Sequence, residues 1–236
     1  MKSISIVSLA SLAVFATVVA PQAQAPSASA KFTDVYHVNF TKAALGRARQ
    51  LGDSVKVQDP AAPQKGHYLV LRHQDGDAWD YATIEHLGTR ATVEVGGAQA
   101  APAERDLRAW HEDTFVSGPS WAEFAKAMGL VAPASTAASV YRIATYRAAT
   151  GHRDQLQAIL LQPPAKGDTS SGGVTMQHLE GGTWQYIVID RYNSWQDFAT
   201  NESNGKADIQ AGKGGWYDVR DHADVHHDTL TDRVAP

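Results

Sequence analysis

The chain contains no cysteine. That absence excludes disulfides, a thiolate nucleophile and a cysteine-borne lipid anchor, and leaves stability to an ordinary hydrophobic core. After the N-terminal leader no apolar run approaches the length of about 20 residues that a membrane span needs, so no stable membrane insertion is expected once the leader is gone. Lysine and arginine form no cluster. They are interspersed with acidic residues at a net charge of −4, which argues against a nucleic-acid partner. There is no Gly-x-Ser-x-Gly elbow, no P-loop and no Gly-x-Gly-x-x-Gly following a strand. Gly212-Lys213-Gly214-Gly215 lacks P-loop spacing and reads as a connection.

What is present starts with an export signal. Met1-Lys2 is a short positive segment, Ile4 to Ala20 is apolar, and Pro21 to Ala30 is rich in small residues. This is the layout of a secretory signal peptide. Ala23-Gln24-Ala25 is followed by Pro26, whereas Ala28-Ser29-Ala30 precedes Lys31, so cleavage is expected after residue 30. Loss of Lys2 takes the net charge from −4 to −5. Export without disulfides points to a bacterial periplasmic or secreted protein. About 206 residues remain, enough for one large domain or two small ones.

Those residues repeat. At an offset of 105, Val35-Tyr36 recurs as Val140-Tyr141 and Gln50-Leu51 as Gln155-Leu156. Ala43-Ala44-x-Gly46 recurs as Ala148-Ala149-x-Gly151. The longest match runs from His73 through Gly76, Trp79 and Tyr81 to Ile84, which returns as His178, Gly181, Trp184, Tyr186 and Ile189. At an offset of 115, Arg105-Asp106 and His111-x-Asp113-Thr114 return as Arg220-Asp221 and His226-x-Asp228-Thr229. A period of this length indicates a duplicated domain. The expected units are residues 31–131 and 140–236, joined by a linker at 132–139.

Within each unit the pattern predicts a strand (Val35 to Phe40; Val140 to Thr145) and a helix (Lys42 to Leu51; Ala148 to Leu160). A hairpin follows, with strands Tyr68 to Gln74 and Trp79 to Leu87, then Val174 to Leu179 and Trp184 to Tyr192. Helical material closes each unit. Ser194-Trp195-Gln196-Asp197-Phe198-Ala199 reads as a capped helix start, but its counterpart, Ser120 to Ala125, lies after the His-x-Asp-Thr block instead of before it. No fourth strand stands out beyond Arg90 to Val95 in the first unit.

The order strand–helix–strand–strand–helix is that of a ferredoxin-like unit. In its duplicated form the chain resembles the dimeric α+β barrel superfamily. The resemblance implies an α+β fold in which two ferredoxin-like units pack their antiparallel sheets into one barrel-like body. That superfamily includes small monooxygenases and haem-handling enzymes, but this chain carries none of the haem members' better-defined signatures, and the cofactor stays unknown. Intrachain pairing of the units is implied, and a homo-oligomer is compatible with it.

The repeated side chains are the candidates for chemistry. His73 and His178 fall on the apolar face of the hairpin, shared with Leu71 and Met176. A histidine there can transfer protons or bind a metal, or it can simply pin the turn. Trp79 and Tyr81, with Trp184 and Tyr186, are expected together on the opposite face as ligand-contacting walls or as core. The pairs His111/Asp113 and His226/Asp228 are further catalytic candidates. Taken as helical, their i, i+2 spacing does not converge. His222 and His226 have the i, i+4 spacing of a weak zinc candidate, which the first unit does not repeat. Two functions fit: an exported protein that binds or weakly oxidises a small organic ligand, or a non-catalytic periplasmic module for structure, assembly or stress.

Overall fold

The computed structural model describes residues 32–93, 105–131, 139–180 and 182–236. The segments expected to be the signal peptide and nearly all of the linker lie outside these residues. Among the described residues no helix is long and apolar enough to cross a membrane.

The first half runs β1 (Asp34–Ala43), α1 (Ala48–Val55), β2 (Tyr68–Asp75), β3 (Tyr81–Thr89), β4 (Arg108–Gly118) and α2 (Trp121–Ala127). The second runs β5 (Val140–Ala148), α3 (Arg153–Leu160), β6 (Gly172–His178), β7 (Tyr186–Tyr192), α4 (Trp195–Gln210), α5 (Trp216–His222) and β8 (Ala223–Ala235). The fold is therefore mixed α+β, and its eight strands, all antiparallel to their neighbours, close into a barrel in the order β1-β3-β2-β8-β5-β7-β6-β4. In each half the first strand is central, between the third and fourth. Two seams join the halves. β2 pairs with β8 over Val70 to Asp75; β4 pairs with β6 at Val116↔His178 and Ser117↔Gln177.

The fourth strands correct the sequence reading. Arg90 to Val93 is not a strand, and the blocks assigned to helices, His111 to Thr114 and His226 to Thr229, form the middle of β4 and β8. Few apolar residues mark these strands, because part of their inward face lines a polar barrel mouth. Helix starts also shift. Ala43-Ala44-x-Gly46 and Ala148-Ala149-x-Gly151 end a strand and turn the chain. Gly46 and Gly151 sit at φ +76° and +84°, a left-handed conformation that glycine alone takes without strain. The same backbone contacts brace both turns: Ala44 N–H donates to Leu107 O and Ala149 N–H to His222 O, each at 2.8 Å.

One continuous core fills the barrel, including Tyr36, Val38, Leu69, Leu71 and Ile84 from the first half and Tyr141, Ile143, Met176, Ile187 and Ile189 from the second. Outside it, α1 covers Val70 and Tyr81 with Leu51, and α3 covers Tyr186 with Leu156. The two Ser-Trp helices take different places. α4 lies between β7 and β8, capped where Asp197 N–H donates to Ser194 Oγ. α2 follows β4 and packs Phe124 and Met128 into the interior core, capped reciprocally by Ser120 and Glu123.

Candidate functional site

At the end of the barrel where β1 finishes, a pocket of about 310 Å³ opens between the halves. Part of its lining comes in pairs at the offsets of 105 and 115 residues: Trp79 with Trp184, Glu112 with His227, Phe40 with Thr145, and Trp110 with Val225. The two tryptophans are kept and the other three pairs have diverged, so Phe40, Trp110 and Glu112 on one side face Thr145, Val225 and His227 on the other.

Trp79 and Trp184 are 5% and 4% exposed and form the floor with Phe40. Phe40 lies 5.1 Å from Trp79 at a 34° tilt and 6.4 Å from Trp184 edge-on. Trp184 Nε1–H donates to Glu112 Oε1 at 3.1 Å, leaving the second carboxylate oxygen uncommitted by that bond. His227 Nδ1 stands 3.1 Å from Asp77 Oδ1, and Asp77 N–H donates to Thr229 Oγ1 at 3.2 Å. With Nδ1–H directed at the carboxylate, the neutral His227 ring has Nε2 as an acceptor. Gly76 makes this loop position possible: a Cβ there would strike Asp228 O of β8.

His73 and His178 hold matching backbone positions. His73 N–H donates to Asp80 O at 2.9 Å and His178 N–H to Gln185 O at 2.8 Å. Their side chains differ. His178 bonds Trp184 O through Nδ1 at 2.9 Å and Thr114 Oγ1 through Nε2, bracing the short β4–β6 seam. His73 packs edge-on to Trp79 at 5.7 Å, and its buried Nε2 has no partner. Trp and Tyr do not share a face as expected. Trp79 and Trp184 precede their strands and enter the interior, whereas Tyr81 and Tyr186 face the outer helices.

In a strand, residues i and i+2 share a face. Thus His111 Nε2 reaches Asp113 Oδ2 at 2.9 Å, and His226 Nε2 reaches Asp228 Oδ2 at 3.0 Å. Both pairs are on the outer face, away from the pocket. Asp113 also meets His37 at 3.2 Å and accepts from Asn39. Burial pushes its carboxyl up, but the His37 and Asn39 hydrogen bonds with the nearby histidine charges hold it below the usual range. Burial likewise raises Asp228, and the His226 interaction outweighs it. His226 stacks on Tyr146 at 4.5 Å. His222 ends α5 and pairs with His152, with Nδ1 atoms 2.8 Å apart, so the helical spacing behind the zinc candidate is not realised. Among the described residues no group of three or more potential metal ligands is close enough to hold an ion.

The sequence reading missed Glu112 and His227, which occupy the unnamed middle position of His-x-Asp-Thr. Recognising a strand there would have turned that position inward. It also missed a cluster at the other barrel end. His86 Nε2 meets Asp34 Oδ2 at 2.9 Å, and His86 Nδ1 meets His67 Nδ1 at 3.0 Å. Trp121 N–H donates to Asp34 Oδ2 at 2.9 Å, and the Trp121 ring stacks on His67 at 4.4 Å. Burial pushes both imidazoles below their usual range. The second half has Ser139 and Arg191 at the positions of Asp34 and His86, so no internal match marked the cluster.

No family model and no curated protein matches the chain. Two solved structures are similar to it. One is a proposed monooxygenase from Lactobacillus acidophilus NCFM, at 11% identity over 85% of this chain and 94% of that one, with a TM-score of 0.48. The other is an anthrone oxidase-like protein, at 12% identity over 86% and 92% of the two chains, with a TM-score of 0.48.

Proposed function

We propose that the chain is an exported, internally duplicated α+β barrel protein that binds a small organic molecule at the barrel mouth. The observation that carries this reading is the 310 Å³ pocket, where Trp79, Trp184 and Phe40 meet Glu112 and the Asp77–His227 pair. Apolar walls with a few oriented polar groups are the usual make-up of small-molecule sites, and this volume is at their lower end. Residues 1–30 are the signal peptide, 31–131 and 140–236 the two units, and the periplasm or the exterior the destination. Matching turn contacts at Ala44 and Ala149 support the duplication. Glu112 and His227 are placed to accept a proton from a bound ligand, the step that would open slow oxidation by an external oxidant such as dioxygen.

A second reading is a non-catalytic module. The interior packed with apolar side chains from both halves favours it. Thermal unfolding of the protein purified after export, against a panel of small aromatic and aliphatic compounds, separates the two. A ligand at a hundred times its Kd adds about 2.7 kcal/mol of apparent stability. Trp110→Ala, at a rim position 40% exposed, should abolish that gain with little change in the unliganded protein. Absence of any shift across the panel would leave the non-catalytic module.

A further inference from the structure

We propose that the mouth pocket selects a small organic cation, an alkylammonium in chemical class; this rests on the small-molecule reading above and adds the ligand's charge. Two observations combine. The first is the charge of the lining. Glu112 and Asp77 put two carboxyl groups on the pocket, and no lysine or arginine lines it among the described residues. An anionic ligand would meet acceptors on both sides. His227 turns Nδ1 toward Asp77 at 3.1 Å, so its ring is engaged by one of the pocket's own carboxyl groups.

The second is the ring geometry. Phe40, Trp79 and Trp184 form the floor at mutual angles, 34° for Phe40 with Trp79 and 74° for Phe40 with Trp184, and so make a concave surface instead of a flat stack. Trp110 adds a ring at the rim. Aromatic faces carry the negative end of the ring quadrupole and attract an alkylated ammonium, tryptophan most strongly. Trp184 is primed further: its Nε1–H donates to Glu112, which draws electron density toward the indole. A neutral aromatic ligand would use the rings but dry the two carboxylates with only the Trp184 and His227 contacts to offset their charge, at a cost. A cation satisfies both.

Titration of tryptophan fluorescence tests this with three probes: choline, its neutral isostere 3,3-dimethyl-1-butanol, and benzyl alcohol as an uncharged aromatic. Choline should bind roughly tenfold tighter than the isostere, the combined effect of ring and carboxylate attraction. Glu112→Gln keeps an acceptor for the Trp184 N–H, so it should lose most of that preference while benzyl alcohol binds as tightly or more tightly, the carboxylate's desolvation cost being gone. Asp77→Asn is the second variant, should the first fold poorly, and should lose part of the preference. Equal or tighter binding of either neutral probe would overturn the cation assignment and leave the small-molecule reading intact. No response to any probe would overturn both.

Discussion

His178 and His73 are the same residue in the same backbone setting, yet their side chains carry different duties. His178 engages both nitrogens and ties Thr114 of β4 to Trp184 on its own side of the barrel. His73 pairs with Thr231 in the register of the other seam, and its Nε2 is left buried without a partner. Removing a satisfied ring strands its partners, and unpaired buried groups cost about 1–3 kcal/mol. Removing an unsatisfied one costs mainly ring packing. His178→Ala should therefore destabilise the protein by about 1–3 kcal/mol and His73→Ala by clearly less, read as urea midpoints at constant slope. Equal losses would mean that His73 has a partner in solution. The pair of histidines thus differs as structure first, and neither lines the pocket.

At the scale of elements, β1, β3 and α2 converge on Asp34, His86, His67 and Trp121. Asp34 accepts from His86, Trp121 N–H and Thr33 Oγ1, so the His86 ring directs Nε2–H inward and Nδ1 toward His67. Tyr36 packs on His86 at 5.2 Å, and the titratable groups facing His86 are Asp34 and His67. Burial lowers the basicity of His86, outweighing Asp34, with the His67 charge acting in the same direction as burial. The sign follows directly. The unfolded chain takes up a proton near pH 6.5 and the folded one only at lower pH, so stability falls as pH drops through 6.5 toward the folded value. The loss is at most about 1.4 kcal/mol per pH unit for one proton. Denaturant unfolding between pH 7 and 5 should show this slope in the wild type and a shallower one in His86→Gln, which keeps a donor to Asp34 but does not titrate. An unchanged slope in the variant would remove His86 as the source.

For the whole molecule, the two seams are unequal. β2 holds β8 across six residues of its length, whereas β6 shares only two residue pairs with β4, helped by Leu179 N–H to Phe115 O at 2.9 Å and by the Thr114–His178 bond. Local opening follows the weakest set of backbone hydrogen bonds. Amide exchange over β6, residues 172–178, should be faster than over its positional counterpart β2, residues 68–75. The two would exchange alike if the barrel opened only by global unfolding.

The sequence by itself determined the elements whose signal is local. The repeat located equivalent strands, hairpins and turns. The interior parity of Leu71 and Met176 followed from two-residue alternation, and the Ser-Trp helix starts were legible from their caps. The fourth strands, the pocket and the histidine cluster needed the tertiary structure. β4 and β8 carry His, Asp, Glu and Thr where a strand normally shows apolar residues, because what they face inward is a wet mouth and what they face outward is partly solvent. Their strand character comes from pairing with β1 and β5, which are about 65–90 residues away in sequence. Glu112 and His227 were hidden for the same reason: only barrel closure decides which face of a polar strand is the inside. Asp34, His67, His86 and Trp121 come from four separate segments, and no spacing along the chain records that a closing barrel brings them together.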